Sequence, residues 1–299
     1  MSIRVLVFGA TGMLGHKLMQ VLSTRFDITG TVRQSPDTAA DAFARHPVFS
    51  KLQLIGGVSA EDDSSIIKAL SDIKPDVVIN AVGLIKQLKD AKNPIPSITI
   101  NSLFPHRLAQ HCKTAGARMF HVSTDCVFSG RKGNYTEQDE TDAVDLYGRS
   151  KLLGEVDQPG AVTLRTSIVG RELNTTSGLF EWFISQHGQE VKGFEHAIYT
   201  GVTTQVLANI IGDLIEHHPN LHGLWQVSSD PITKYDLLRM VNDTLNLGIT
   251  IHREVDFKCD RSMNSNRFRA ETGITPPTWQ EMIDEMNADP TQYPAYGKA

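Results

Sequence analysis

The sequence predicts an α/β protein: a doubly wound parallel sheet with a smaller, partly interleaved C-terminal lobe. Three observations predict it. An apolar strand at residues 3–9 runs straight into glycines at positions 9, 12 and 15 and then into a helix. Apolar and β-branched runs then alternate with amphipathic helical segments through the first half of the chain, the pattern of a sheet covered on both faces. After Gly170 that regularity weakens and helical patterns take over.

Taken in order, residues 3–9 (IRVLVFG) read as a buried strand, and 12–23 as a helix with Met13, Leu14, Leu18, Val21 and Leu22 on one side. Strands follow at 26–32, 51–57, 76–83, 117–124 and 161–170, separated by helical segments such as 62–73 and 102–116. Further on, helical patterns at 178–187, 203–217 and 233–246 are joined by short strands near 224–228 and 250–255. Residues 272–282 open a last short helix, and the tail from 287 onwards is expected to be frayed or docked irregularly. The expected division assigns 1–168 with 199–229 to a dinucleotide-binding domain, and 169–198 with 230–299 to a substrate-binding lobe.

Bulk properties narrow the function. A chain of 299 residues buries roughly three quarters of its unfolded surface. With 29 basic against 34 acidic residues, the net charge of −5 speaks against tracking a nucleic-acid backbone. No apolar run approaches the ~20 residues of a membrane helix, and the first strand follows Met1 with no signal-peptide layout. Cys112, Cys126 and Cys259 have neither zinc nor disulfide-framework spacing, which predicts a cytoplasmic protein. His217 and His218, in EHHPNLH, lack supporting ligands, so no metal is expected.

The glycine turn carries the first chemistry. Gly9 permits the tight turn, Gly12 lets backbone approach a pyrophosphate, and Gly15 allows helix and strand to pack closely. At the end of the second strand stands Arg33 rather than a carboxylate, followed by Gln34 and Ser35. That choice predicts NADPH, with NADH as the alternative.

Tyr147 and Lys151 lie four residues apart, hence on one helical face, in a segment between the fifth and sixth strands. An ammonium about 4 Å from a phenolate, at an effective dielectric near 20, favours ionisation by roughly 4 kcal/mol. The lysine is therefore expected to draw the phenol's pKa towards neutrality, which suits a general acid. Thr124, at the carboxyl end of the fifth strand, is expected to hold the same carbonyl oxygen.

On these residues the chain resembles an extended short-chain dehydrogenase/reductase with its Rossmann-like sheet. Within that superfamily it is most similar to the dTDP-4-dehydrorhamnose reductase family. GATGMLG, INAVG, STDCVF, YGRSKLLGE and LRTSIVG carry the likeness across nearly the whole chain. The resemblance implies a catalytic triad of Thr124, Tyr147 and Lys151. It implies a cofactor turn of Gly9, Thr11, Gly12, Met13, Leu14 and Gly15, and a loop of Ala81, Val82 and Gly83 beside the cofactor. Ser123, Tyr147 and Lys151 complete that set. DRSMNSNRF resembles the family's RPxxS substrate segment, with Ser262 in place of its proline. Asp125, Cys126, Trp182, Arg261 and Ser265 form the candidate substrate set, Trp182 reading equally as lobe core beside Phe180 and Phe183.

The implied reaction is reduction of the C4 ketone of a nucleoside-diphosphate 4-keto-6-deoxy sugar, in nucleotide-sugar and cell-surface polysaccharide synthesis, by a monomer or homodimer. The related 4,6-dehydratases carry Thr-Asp-Glu where this chain has Thr124-Asp125-Cys126, so dehydration is not expected. Cys126 instead matches the bifunctional epimerase/reductase type. The partner histidine of that type is absent, with Gly178 near its place and His187 and His196 arriving later. A third reading is a dinucleotide-binding regulatory subunit, of which the methionine adenosyltransferase regulatory subunit is a similar example.

Overall fold

The computed structural model describes residues 2–35, 50–85, 92–173 and 175–293. Strand β1 (Arg4–Phe8) leads into helix α1 (Gly15–Leu22) and strand β2 (Asp27–Thr31). Then come β3 (Gln53–Ile55), α2 (Asp63–Ile73) and β4 (Val77–Asn80). A short helix α3 (Pro94–Ser97) runs through a π-helical stretch, Ile98–Leu103, into α4 (Phe104–Ala115), followed by β5 (Arg118–Thr124). Helix α5 (Leu146–Leu153) precedes β6 (Ala161–Thr166).

These strands, with β10 described below, form a seven-stranded sheet in the order β10-β6-β5-β4-β1-β2-β3, every neighbouring pair parallel. Val5, Leu6 and Val7 of β1 are fully buried, as are Val78 and Ile79 of β4, because helices cover both faces. Val5 and Val7 join one apolar cluster with α1, whereas Leu6 and Phe8 join the other with α2 and α4. Alternate side chains of one strand thus feed opposite cores. Each fully buried Leu or Phe contributes about 1.5–3 kcal/mol. The strand order reverses between β1 and β4, which opens a crevice at their carboxyl ends.

Beyond β6 the chain forms β7 (Ile168–Val169), α6 (Leu179–Ile184), β8 (Glu190–Tyr199), β9 (Val202–Thr203), α7 (Thr204–His217) and β10 (Gly223–Gln226). Next are β11 (Ile232–Thr233), α8 (Lys234–Leu245), β12 (Thr250–Asp260), α9 (Asn266–Thr272) and α10 (Trp279–Asn287). Strands β11, β8 and β12 make a second sheet, while β7 pairs with β9.

The strand foreseen near 224–228 is β10, and it joins the main sheet beside β6. The strand foreseen at 250–255 extends to Asp260, because it pairs along β8 through an irregular register between Glu254 and Lys258. β8 itself was not foreseen: Gly193, His196 and three charged residues, Glu190, Lys192 and Glu195, interrupt its apolar alternation. The tail from 288 to 293 is docked rather than frayed, Gln20 donating to Thr291 Oγ1 at 3.1 Å and His16 meeting the Tyr293 hydroxyl at 3.0 Å. Residues 294–299 lie outside the described residues.

Candidate active site

The glycine turn is built as its spacing requires. Gly9 has φ +85°, a left-handed conformation that disfavours any Cβ. A Cβ on Gly15 would stand 1.9 Å from the Gly9 carbonyl oxygen, so helix and strand can approach this closely only with glycine there. Gly12 is different: a Cβ there would meet nothing nearer than 3.4 Å, and the residue faces the cleft. Helix α1 starts with no side-chain cap, so its N-terminal dipole faces the turn and favours an anion there, while His16 N is taken by the Gly12 carbonyl at 3.1 Å. This cradle fits a dinucleotide pyrophosphate. Gly12, Met13 and Leu14 line the cleft, and Thr11 is half-buried within the turn.

Ala81, Val82 and Gly83 form the wall beside the turn. Two asparagines that the sequence reading passed over hold them. Asn80 Oδ1 accepts from Val82 N at 3.0 Å while its amide nitrogen meets buried His121 at 3.1 Å. Asn101, in the π-helical stretch, accepts from Leu84 N at 2.8 Å and donates to Leu84 O and to Ser150 Oγ. It therefore ties the cofactor-side loop to α5. An asparagine in a helix carries no periodic signal, which is why it was missed.

Helix α5 is capped by Asp145, whose carboxylate accepts from Gly148 N at 2.7 Å. Gly148 is what lets the helix seat: a Cβ there would stand 2.2 Å from the Cys126 carbonyl oxygen. Tyr147, half-buried, thereby reaches the cleft wall beside Thr124, close enough for that hydroxyl to favour the ionised phenol. Thr124 Oγ1 also accepts from Cys126 N and bonds Asp125 Oδ1, both at 3.1 Å. Lys151 Nζ donates to Val122 O at 2.7 Å. Glu155, one turn further on, accepts from Ser123 Oγ at 2.7 Å and bidentately from Arg165 Nε and Nη2 at 2.7 Å each. Three consecutive residues of β5 are thus gripped by positions 147, 151 and 155.

The expected electrostatic coupling is not what this geometry gives. Burial pushes the Tyr147 phenol up, Cys126 and Asp125 reinforce the shift, and only the Thr124 bond opposes it. Lys151, its ammonium held on a strand carbonyl, is brought down to about 8 by burial, with Glu155 resisting. The phenol therefore stays protonated through the neutral range, and the lysine titrates near it.

The cleft has a volume of about 510 Å³. The candidate substrate residues divide at its wall. Asp125, Cys126 and Arg261 line it, Arg261 with its Nε on Phe128 O at 2.9 Å. Trp182 and Ser265 are corrections. Trp182 lies 36% exposed on α6, tilted against buried Phe183, while Phe180 and Phe183 are core. Ser265 is buried in a network with Ser228 and Arg269. Ser123 borders the cleft, but its hydroxyl is turned to Glu155. Arg33 is exposed just past β2, outside the walls of this cavity. Tyr199, at the end of β8, went unnoticed in the sequence; it lines the cleft with its buried hydroxyl unpartnered among the described residues.

The family model described as the RmlD substrate binding domain matches residues 3–291. Methionine adenosyltransferase 2 subunit beta of Danio rerio is 28% identical over 261 residues, which cover 82% of this chain and 74% of the relative. The dTDP-4-dehydrorhamnose reductase of Mycolicibacterium smegmatis is 37% identical over 161 residues, 51% of this chain and 48% of that one. Among solved structures, dTDP-4-dehydrorhamnose reductase from Bacillus anthracis in complex with NADP superposes with a TM-score of 0.79 at 19% identity, covering 96% and 99% of the two chains.

Proposed function

Because the chain belongs to the RmlD substrate binding domain family, we propose that it is an NAD(P)H-dependent oxidoreductase reducing the C4 ketone of a nucleoside-diphosphate 4-keto-6-deoxy sugar. The observation that carries the reading is the convergence of Thr124, Tyr147 and Lys151 on one wall of a cleft whose other wall is the glycine turn. The reduced nicotinamide, when bound, supplies the hydride.

The rest is work for this chain's own side chains. Thr124 holds the ketone oxygen beside the phenol. Tyr147, kept protonated by its burial, delivers the proton to that oxygen as charge develops on it. Lys151, its ammonium fixed on Val122 O, would hold the cofactor's ribose beside the same reaction centre. Gly12, Met13 and Leu14 offer backbone to the pyrophosphate. Arg261 and Asp125 are assigned to the sugar-nucleotide end, and Arg33, exposed past β2 and outside this cavity, to a 2′-phosphate reaching beyond it. Bringing donor, acid and ketone into one geometry accounts for most of the rate. In this reading residues 1–168 with 199–229 bind the dinucleotide, and 169–198 with 230–299 receive the sugar nucleotide.

The combined epimerase reading is not favoured: Gly178 on the cleft wall offers no ring to work with Cys126. Nor is the regulatory-subunit reading, since Thr124 and Tyr147 are both present and in contact. Turnover with a panel of 4-keto-6-deoxy sugar nucleotides tests the proposal. Tyr147→Phe is expected to lose at least about a hundredfold in kcat while still binding NADPH. Near-normal turnover in that variant refutes the assignment of the acid.

A further inference from the structure

The tail following α10 makes contacts that neither the fold nor the proposed chemistry explains. His16, buried in the first turn of α1, bonds the Gly12 carbonyl through Nδ1 at 2.9 Å and meets the Tyr293 hydroxyl through Nε2 at 3.0 Å. Since a carbonyl only accepts, Nδ1 is the donor in the first contact. The Tyr293 hydroxyl also lies 3.1 Å from Asp289 Oδ2, its one proton serving either Nε2 or that carboxylate, and Asp289 is paired with buried Lys17 of α1. A continuous chain of polar contacts thus runs from the tail to one carbonyl of the phosphate cradle.

Tyr293 also touches the opposite wall. The Arg171 guanidinium stacks 4.3 Å from its ring centroid and pairs with Glu181. Glu181 also accepts from Glu172 N at 3.0 Å, and Glu172 accepts from Gly178 N at 3.0 Å. Gly178 sits against the turn itself, for a Cβ there would meet the Met13 sulfur at 3.4 Å. One aromatic ring therefore ties the glycine turn to the segment that closes over it.

We infer that Tyr293 is a positioning residue for the dinucleotide: through the His16 ring it holds the Gly12 carbonyl, which also accepts from His16 N at 3.1 Å, on the helix side of the turn, and through Arg171 it sets the wall facing Met13. Turning that carbonyl inward would point a partial negative charge at a pyrophosphate, so orientation here bears on affinity rather than on the chemical step. The inference rests on the proposed dinucleotide site and on no assumption about the sugar.

The test is NADPH affinity by fluorescence titration of the full chain, alongside steady-state kinetics and thermal unfolding. Tyr293→Phe keeps the ring under Arg171 and removes the hydroxyl. It is expected to raise the Kd and KM for NADPH about fivefold, the effect of one lost hydrogen bond, with kcat and the sugar-nucleotide KM within about twofold. Combining it with His16→Asn should add less than the sum of the single changes, because both break one relay. Thr278→Ala removes the capping box at the start of α10 without touching His16, Lys17, Asp289 or Tyr293, and should lower thermal stability while leaving Kd unchanged. An unchanged NADPH Kd in Tyr293→Phe overturns the inference, as does an equal loss of affinity in Thr278→Ala. A parent chain that binds neither NADPH nor NADH overturns the dinucleotide site itself, and this inference with it.

Discussion

Lys151 is the residue whose surroundings matter most for pH behaviour. Burial lowers its pKa to about 8, so its ammonium is lost as pH rises through that value. kcat/KM is accordingly expected to fall above about pH 8, and Lys151→Arg, which stays charged, should remove that limb if it retains activity. The loss is not unfolding caused by this group. Its folded-state pKa lies below the unfolded 10.5, so its burial penalty is fully present below about pH 8 and is relieved as pH rises towards 10.5. Pairing a pH–rate profile with denaturation at each pH separates the two. The spacing of Tyr147 and Lys151 was legible in the sequence because a helix converts four residues into one face. Their coupling was not, since a strand carbonyl 29 positions away takes the ammonium.

At the scale of elements, α5 is positioned by the residue it lacks a side chain for. Gly148→Ala would drive a methyl to 2.2 Å from the Cys126 carbonyl and lever Tyr147 out of reach of Thr124. The expected result is about 1–3 kcal/mol of destabilisation with a much larger loss of kcat, read from urea unfolding and steady-state rates. The elements themselves divided sharply in legibility. β1, β4 and β5 are apolar runs buried on both faces and announced themselves. β8, exposed along part of its length and broken by Gly193, did not. Asn101, Glu155 and Tyr199 were equally silent, because their value comes from partners that only the fold assembles.

The whole molecule shapes the cleft from segments distant in sequence: the turn after β1, the ends of β4 and β5, the loop after β7 and the end of β8. Ligand binding should therefore stabilise the chain as a unit. NADPH at a hundred times its Kd is expected to add about 2.7 kcal/mol to unfolding, visible as a rise of several degrees in Tm, and no shift at that concentration would deny the site.

The late arrival of β10 carries a consequence for biosynthesis. β6 has β5 on one side, but its other edge pairs with Gly223–Gln226, which the ribosome has yet to make when β6 emerges. At ordinary elongation rates that edge stands open for roughly 3 to 11 seconds, a template for stray strands from other nascent chains. Ribosomes stalled before residue 223 should thus bear chains far more prone to proteolysis and cross-association than those stalled well beyond β12. The seventh strand completes the sheet and closes the interval in which it is most vulnerable.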